Sequence, residues 1–142
     1  MPSFEGTVIV RCRPEDVFAL YANAPSWAEW DPDIKAATRD GPFAAGSVGT
    51  ITPRQGPIMK IYVTQVDPNR SFTAEARLPL CTMRFEHEVV PLGTESRVTH
   101  RVVFTGPLAF AFGFLIGRQL KVGIPRTMHG LKTACERGLI RR

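Results

Sequence analysis

The sequence lacks long hydrophobic runs, which bears on membrane insertion. Its most apolar stretch, residues 108–117, has ten residues, about half of the roughly 20 that a membrane-spanning helix needs. We therefore expect no transmembrane helix. The first residues, MPSFEGTVIV, begin polar and alternate like a strand, so we expect no signal peptide there.

Cysteine is scarce and widely spaced. The three cysteines, Cys12, Cys81 and Cys135, are odd in number, which argues against a disulfide framework or a cysteine-rich metal cluster. Reduced thiols are typical of the cytosol. We therefore predict a cytoplasmic protein.

Two families of catalytic motif are absent from the sequence. It contains no Gly-x-Ser-x-Gly segment, which argues against a serine nucleophile of the hydrolase type. The glycine-rich segment GPFAAGSVG, residues 41–49, lacks the lysine and the following helix of a phosphate-binding loop. We expect no nucleotide and no other cofactor.

Positive charge exceeds negative charge, with a net charge of +5. The basic residues are dispersed and become dense only over residues 126–142. This distribution favours a solvated helix face over a nucleic-acid interface. Attraction to an anionic membrane surface is a second interpretation.

What the sequence does contain is mostly alternation of apolar and polar residues. Residues 4–10 alternate and predict a first strand. Two short helical segments follow, residues 13–23 and the segment PSWAEWDP at 25–32, which carries both tryptophans. Further alternating segments between residues 34 and 104 predict antiparallel strands with one apolar and one charged face.

The C-terminal segment changes to helical spacing. Gly106 and Pro107 form a start signal, Pro125 predicts a kink and Gly138 predicts the end of the helix. The apolar residues recur every three or four positions and are Leu120, Ile124, Met128, Leu131 and Cys135. The whole chain, residues 1–142, therefore predicts a single α+β domain.

Four segments carry a family resemblance: RPEDVFALYAN at 13–23, PSWAEWDPDI at 25–34, MRFEHEVVPLG at 83–93 and RVTHRVVFTGPLA at 97–109. They resemble the START-like (SRPBCC) superfamily, which includes birch-pollen-allergen-like proteins, in its polyketide cyclase/dehydrase and lipid-transport branch. The resemblance implies a helix-grip fold, in which a curved antiparallel sheet wraps around the long C-terminal helix. It also implies an apolar cavity for a hydrophobic small molecule. The fold does not choose between carriers, receptors, cyclases and hydrolases.

Strand parity places two histidines opposite each other. If Gly93 and Thr94 form a two-residue turn, His87 lies opposite His100 on the inward face, with their Cβ atoms about 5 Å apart. They are either core residues with satisfied hydrogen bonds, groups that orient a ligand, or the acid and base of a cyclisation or dehydration. A metal site is not predicted, because Cys81 is the one further ligand candidate nearby.

The same parity predicts which residues line the cavity. The inward amide of Gln65 is expected opposite Phe72, where it bonds either to backbone or to a ligand. His87 and His100 are the catalytic candidates. The predicted ligand-binding residues are Trp30, Ile61, Val63, Gln65, Phe72, Met83, Phe85, His87, His100, Phe104 and Met128.

Three functional hypotheses follow. The first is binding or transport of a hydrophobic small molecule, such as a lipid, a quinone or a polyketide-like compound. The second is a cyclase or dehydratase that uses His87 and His100. The third is a peripheral membrane or protein-interaction module that docks through Phe110, Phe112 and Phe114 if these side chains are exposed. The interpretation we favour for the three phenylalanines is burial in a core between helix and sheet. The oligomeric state is left open.

Overall fold

The computed structural model describes residues 2–141, with side chains described through residue 138. One antiparallel sheet has the strand order β1-β7-β6-β5-β4-β3-β2. Its strands are β1 (Ser3–Val10), β2 (Ile34–Asp40), β3 (Val48–Pro53), β4 (Met59–Asp67), β5 (Ser71–Leu78), β6 (Cys81–Leu92) and β7 (Glu95–Thr105).

Two short helices follow β1 and one long helix ends the chain. They are α1 (Pro14–Ala22), α2 (Trp27–Trp30) and α3 (Ala109–Arg141), with a 3-10 turn at Ala24–Ser26 between the first two. The predicted α+β class and helix-grip arrangement are confirmed. The predicted helix end at Gly138 is wrong, because α3 continues to Arg141 and a glycine within a helix costs only about 1 kcal/mol.

The register of the central hairpin agrees with the sequence prediction. His87 pairs with His100, Phe85 with Val102 and Val89 with Val98. Gly93 takes a positive φ of 71° in the connecting turn, a conformation that suits glycine. The turn therefore sets the register of the two longest strands.

One face of the sheet is covered by the helices and forms the core. We call it the helix-covered face. Along β1 the even-numbered residues are buried or half-buried and the odd-numbered ones are exposed, as expected for a strand with one wet face. The large side chains with almost no exposed surface are Val10, Val17, Tyr21, Phe72, Val98, Phe104 and Leu131.

Helix α3 can lie very close to β1 because each bulky side chain at the contact meets a glycine on the other element. A Cβ atom added to Gly117 would lie 2.5 Å from Cζ of Phe4, and one added to Gly6 would lie 2.6 Å from Cγ2 of Ile124. At Gly130 the added atom would collide with the backbone carbonyl oxygen of Trp30. Close contact of α3 with both β1 and α2 therefore requires glycine at these positions.

The first half of α3 has an exposed apolar face. Phe110 and Phe114 are 72% and 86% exposed, so the expectation that they are buried against the sheet is wrong. Phe112 alone of the three packs against the core. The reason is helical geometry. The side of α3 that carries Gly113 and Gly117 packs against Pro2 and Phe4, so the opposite side, with Phe110 and Phe114, points to solvent.

We expect Gly130→Ala to lower the free energy of unfolding by about 1–3 kcal/mol, the usual cost of overpacking a tight contact. Gly138→Ala is the matched control, since nothing lies within 4 Å of the Cβ it would add. The control should gain up to about 1 kcal/mol from helix propensity. Urea denaturation of both variants checks this, and equal stabilities would contradict the close contact.

Candidate functional site

The predicted histidine pair forms part of an aromatic cluster on the helix-covered face. The ring centroids of His87 and His100 lie 4.5 Å apart, and His87 stacks on Phe72 at 3.8 Å. The hydroxyl of Tyr21 forms a 2.7 Å hydrogen bond with Nε2 of His100. Phe43 packs on Phe72 from the loop between β2 and β3, with centroids 5.0 Å apart. The rings therefore fill the space next to the two histidines.

The polar groups of this cluster are satisfied and uncharged at neutral pH. Nδ1 of His87 donates to the carbonyl oxygen of Phe72 at 3.2 Å. Burial lowers the pKa of His87 to about 4. Burial, together with the neighbouring His87, lowers the pKa of His100 well below 6.5. Burial also raises the pKa of Tyr21 well above 10.0, with a contribution from Cys135. The hydrogen bond between Tyr21 and His100 thus joins two neutral groups.

Most of the predicted ligand-binding residues lie together in the core. Phe85 and His87 keep part of their surface accessible. The predicted residues that are buried are Trp30, Ile61, Val63, Phe72, Met83, His100, Phe104 and Met128.

The predicted position of Gln65 is wrong. A β-bulge between Val63 and Gln65 puts Gln65 opposite Thr73, so that Val66 takes the place opposite Phe72. One extra residue in a strand reverses the parity of everything after it. The amide of Gln65 therefore lies on the opposite face of the sheet, where its nitrogen donates to the Ser71 hydroxyl at 3.0 Å.

A small polar cavity of about 160 Å³ lies on that opposite face. Arg101 on its wall pairs with Glu86 at 2.9 Å and with Glu5 at 3.3 Å. Because the guanidinium charge is already paired, this cavity offers little for an anionic ligand. Its lining residues are Gln65, Ser71, Thr73, Glu86, His87, Glu88, Thr99 and Arg101.

A much larger cavity, of about 1130 Å³, is an open groove between α1, α2 and the second half of α3. Its apolar wall consists of Leu20, Ala28, Trp30, Pro32, Pro125 and Ala134. Its charged and titratable residues are Glu29, Arg54, Arg126, His129 and Arg137. The groove therefore combines an apolar wall with an excess of positive charge.

The two tryptophans differ in how their indole N–H groups are bonded. The indole N–H of Trp27 donates to the carbonyl oxygens of Leu20 and Tyr21 at the end of α1, at 3.1 and 3.2 Å. The buried indole N–H of Trp30 has no hydrogen-bond partner among the described residues. An unpaired buried donor of this kind costs roughly 1–3 kcal/mol.

Asp31 connects α2 to α3 beneath the groove. Its Oδ1 accepts hydrogen bonds from the Thr127 hydroxyl and from the backbone N–H of Asp33, both at 3.0 Å. Burial is the main cause that raises the pKa of this carboxyl above 3.8. The two hydrogen bonds fix α2 against the middle of α3.

Sequence reasoning missed Tyr21 and most of the groove. Tyr21 follows Phe18 by three positions and Val17 by four, so its burial could be inferred from helical spacing, but its contact with His100 could not. The density of basic residues from residue 126 onward is a signal for the groove that the interpretation as a solvated face misses. Arg126 and Arg137 come from that segment.

The sequence matches the polyketide cyclase/dehydrase and lipid transport family over residues 1–136. The chain belongs to this family. The resemblance inferred from the four sequence segments is thereby confirmed. No curated protein matches the chain significantly.

Solved structures share the fold of this family member at low sequence identity. Protein MLL2253 from Mesorhizobium loti is 17% identical with a TM-score of 0.71, and the match covers 95% of this chain and 97% of that one. TTHA0849 from Thermus thermophilus is 12% identical with a TM-score of 0.75, covering 96% and 99%. The di-domain ARO/CYC StfQ from the steffimycin biosynthetic pathway is 13% identical with a TM-score of 0.78, covering 97% of this chain and 51% of StfQ. At these identities the likeness shows the fold alone.

The described part of the chain contains neither a membrane-spanning helix nor a cluster of metal ligands. None of the helices within residues 2–141 is long and apolar enough to cross a membrane. The described His, Cys, Asp and Glu side chains form no group of three or more that could hold a metal ion.

The lowered histidine pKa values predict a pH dependence of stability. An unfolded histidine takes up a proton near pH 6.5, whereas folded His87 does so near pH 4. The contribution of the neutral histidines to the free energy of unfolding should therefore be fully present above about pH 7. It should decrease as the pH falls towards 4, with a slope of up to about 1.4 kcal/mol per pH unit for each histidine. Urea denaturation at a series of pH values measures this slope.

His87→Gln should make this slope shallower, because it removes one of the two groups. His129→Gln is the control, since the side chain of His129 is exposed and its removal breaks no buried contact. An unchanged slope in His87→Gln would contradict the assignment of the pH dependence to the buried cluster.

Proposed function

We propose that the protein binds a hydrophobic small molecule with an anionic end, such as a lipid carboxylate or an acidic polyketide-like compound, in the groove between α1, α2 and α3. One observation carries this proposal: the groove has an apolar wall and a volume of about 1130 Å³. Sites for small molecules are usually concave, mostly apolar and lined by a few polar groups. Membership of a family that includes lipid transport supports the same interpretation.

The charges of the groove support an anionic ligand. The groove lining contains three arginines, Arg54, Arg126 and Arg137, and one carboxylate, Glu29. The pairing of Arg126 with Asp33 is long, at 3.8 Å, and largely exposed, so it leaves most of the arginine charge available. Arginine binds carboxylate and phosphate groups in a bidentate manner. An anion at the rim would thus meet several donors at once.

Trp30 offers a second point of recognition. Its ring belongs to the apolar wall, and its buried N–H has no partner among the described residues. Because the N–H is buried, a ligand in the groove would contact the apolar ring of Trp30 and not its nitrogen. Trp30 was predicted as a ligand-binding residue, and the proposal keeps it in that role.

The alternative of cyclase or dehydratase chemistry by His87 and His100 has weaker support. An efficient acid or base has a pKa near the working pH, whereas burial moves the pKa of His87 to about 4. In addition, Nε2 of His100 is already hydrogen-bonded to the hydroxyl of Tyr21. We propose instead that the two histidines stabilise the fold, as part of the aromatic cluster on the helix-covered face of the sheet.

A bulky residue in the groove should prevent binding of an apolar probe. We expect Thr133→Trp to weaken binding of cis-parinaric acid, followed by its fluorescence, by at least about tenfold because the indole occupies the ligand volume. Thr94→Trp, in the exposed turn between β6 and β7, is the matched control and should bind like the wild type. Equal binding by the two variants would place the site elsewhere.

Removing the groove charges should separate anionic from neutral ligands. The triple variant Arg54→Gln, Arg126→Gln and Arg137→Gln should bind cis-parinaric acid about tenfold more weakly, since charge-assisted hydrogen bonds are lost. Its affinity for the uncharged methyl ester should stay the same. A control triple variant at the exposed Arg70, Arg84 and Arg97 should leave both affinities unchanged. Loss of ester binding as well would refute the charge assignment.

A further inference from the structure

The start of α3 exposes large apolar side chains that the groove does not use. Phe110, Phe114 and Leu115 are 72%, 86% and 70% exposed. Phe110 and Phe114 are one helical turn apart and share a face. The opposite side of this helix half packs on β1, where Gly113 and Gly117 contact Pro2 and Phe4. Packing within the chain therefore gives these side chains no reason to be apolar.

The turn between β5 and β6 adds another exposed leucine beside them. Leu80 is 66% exposed and has a φ of 54°, in the left-handed region that disfavours residues other than glycine and asparagine. Its carbonyl oxygen accepts from the N–H of Leu108 at 3.0 Å, so the turn abuts the start of α3. A leucine held in a strained turn with its side chain in solvent suggests a function outside the fold.

Five exposed apolar residues thus come from the start of α3 and from the turn that abuts it, and we call this set the apolar ridge: Leu80, Leu108, Phe110, Phe114 and Leu115. An exposed apolar surface of this kind marks an interaction site.

The charged residues that follow the ridge along the first half of α3 are positive. Between Glu95 and Glu136, 40 consecutive residues contain no aspartate or glutamate. Arg118 follows Phe114 by one turn on the same face, and Lys121 lies less than a turn further; both are exposed. The ridge thus continues directly into a cationic surface along α3.

We propose that the apolar ridge inserts into the surface of an anionic lipid bilayer while Arg118 and Lys121 contact lipid phosphates. An apolar face flanked by cations is the pattern of segments that lie in a membrane interface. A second copy of the chain is a poorer partner, because the net charge of +5 and the absence of acids from residues 96–135 would bring like charges together. Anionic headgroups neutralise those charges instead.

The ridge and the groove are separate surfaces. Phe114 and Gly130 are 16 residues apart on α3, which is about 24 Å along a helix. Docking on lipid and binding in the groove can therefore be tested independently. Together they would let the protein exchange a hydrophobic ligand at a membrane.

Cosedimentation with sucrose-loaded vesicles tests the proposal. The wild type should sediment with vesicles of equal parts phosphatidylglycerol and phosphatidylcholine at low salt, and this binding should weaken at high salt. It should not sediment with pure phosphatidylcholine. Absence of binding to the anionic vesicles at low salt would overturn the proposal.

Variants assign the binding to the ridge. Phe110→Gln combined with Phe114→Gln should lower the partition coefficient by at least about tenfold, since two inserted rings are lost. Ile58→Gln is the matched control, because Ile58 is 68% exposed in the loop between β3 and β4. Equal losses in both variants would contradict a specific ridge. Since all these side chains are exposed, unfolding temperatures should stay close to that of the wild type.

Two further measurements separate the competing explanations. Arg118→Gln combined with Lys121→Gln should reduce binding to anionic vesicles, whereas Thr133→Trp, which blocks the groove, should not. Sedimentation velocity without lipid tests for self-association. A dimer that dissociates in the double phenylalanine variant, with no vesicle binding by the wild type, would assign the ridge to a second copy and refute membrane docking.

Discussion

The close contact of α3 with β1 and α2 is the constraint on which the rest of the structure depends. Gly117 lies against the ring of Phe4, and Gly130 lies against the backbone carbonyl of Trp30. Glycine weakens a helix by about 1 kcal/mol per position, so this contact is kept at a cost in helix propensity. The contact fixes the rotation of α3 about its axis and thereby decides which side chains meet the core and which meet solvent.

The interior beneath the helices is aromatic and polar at once. Tyr21, His87 and His100 contribute groups that would be costly to bury alone, and each has a hydrogen-bond partner. Burial favours the neutral forms of all three, since a charged form would lose its hydration. This cluster joins α1 to the centre of the sheet without introducing a charge.

The apolar ridge and the groove lie on different halves of the same helix, α3. The first half packs through small residues and presents phenylalanines outward, whereas the second half lies across from α2 and leaves an open groove with basic residues at its edge. A hydrophobic ligand and a membrane surface are chemically related partners. The proposals of groove binding and of lipid docking are therefore compatible, while each depends on its own residues.

The sequence by itself determined the class of fold, the order of the elements and the pairing of His87 with His100. Those features follow from local rules: the period of two along a strand, the period of 3.6 along a helix and the geometry of one short turn. The tertiary structure decided the position of Gln65, the contact of Tyr21 with His100, the exposure of Phe110 and the shape of the groove. A bulge at Thr64 reverses parity with no signal in residue type, and the other three features depend on contacts between residues far apart in the chain. Such contacts are set by which surfaces can approach closely, and periodicity carries no information about that.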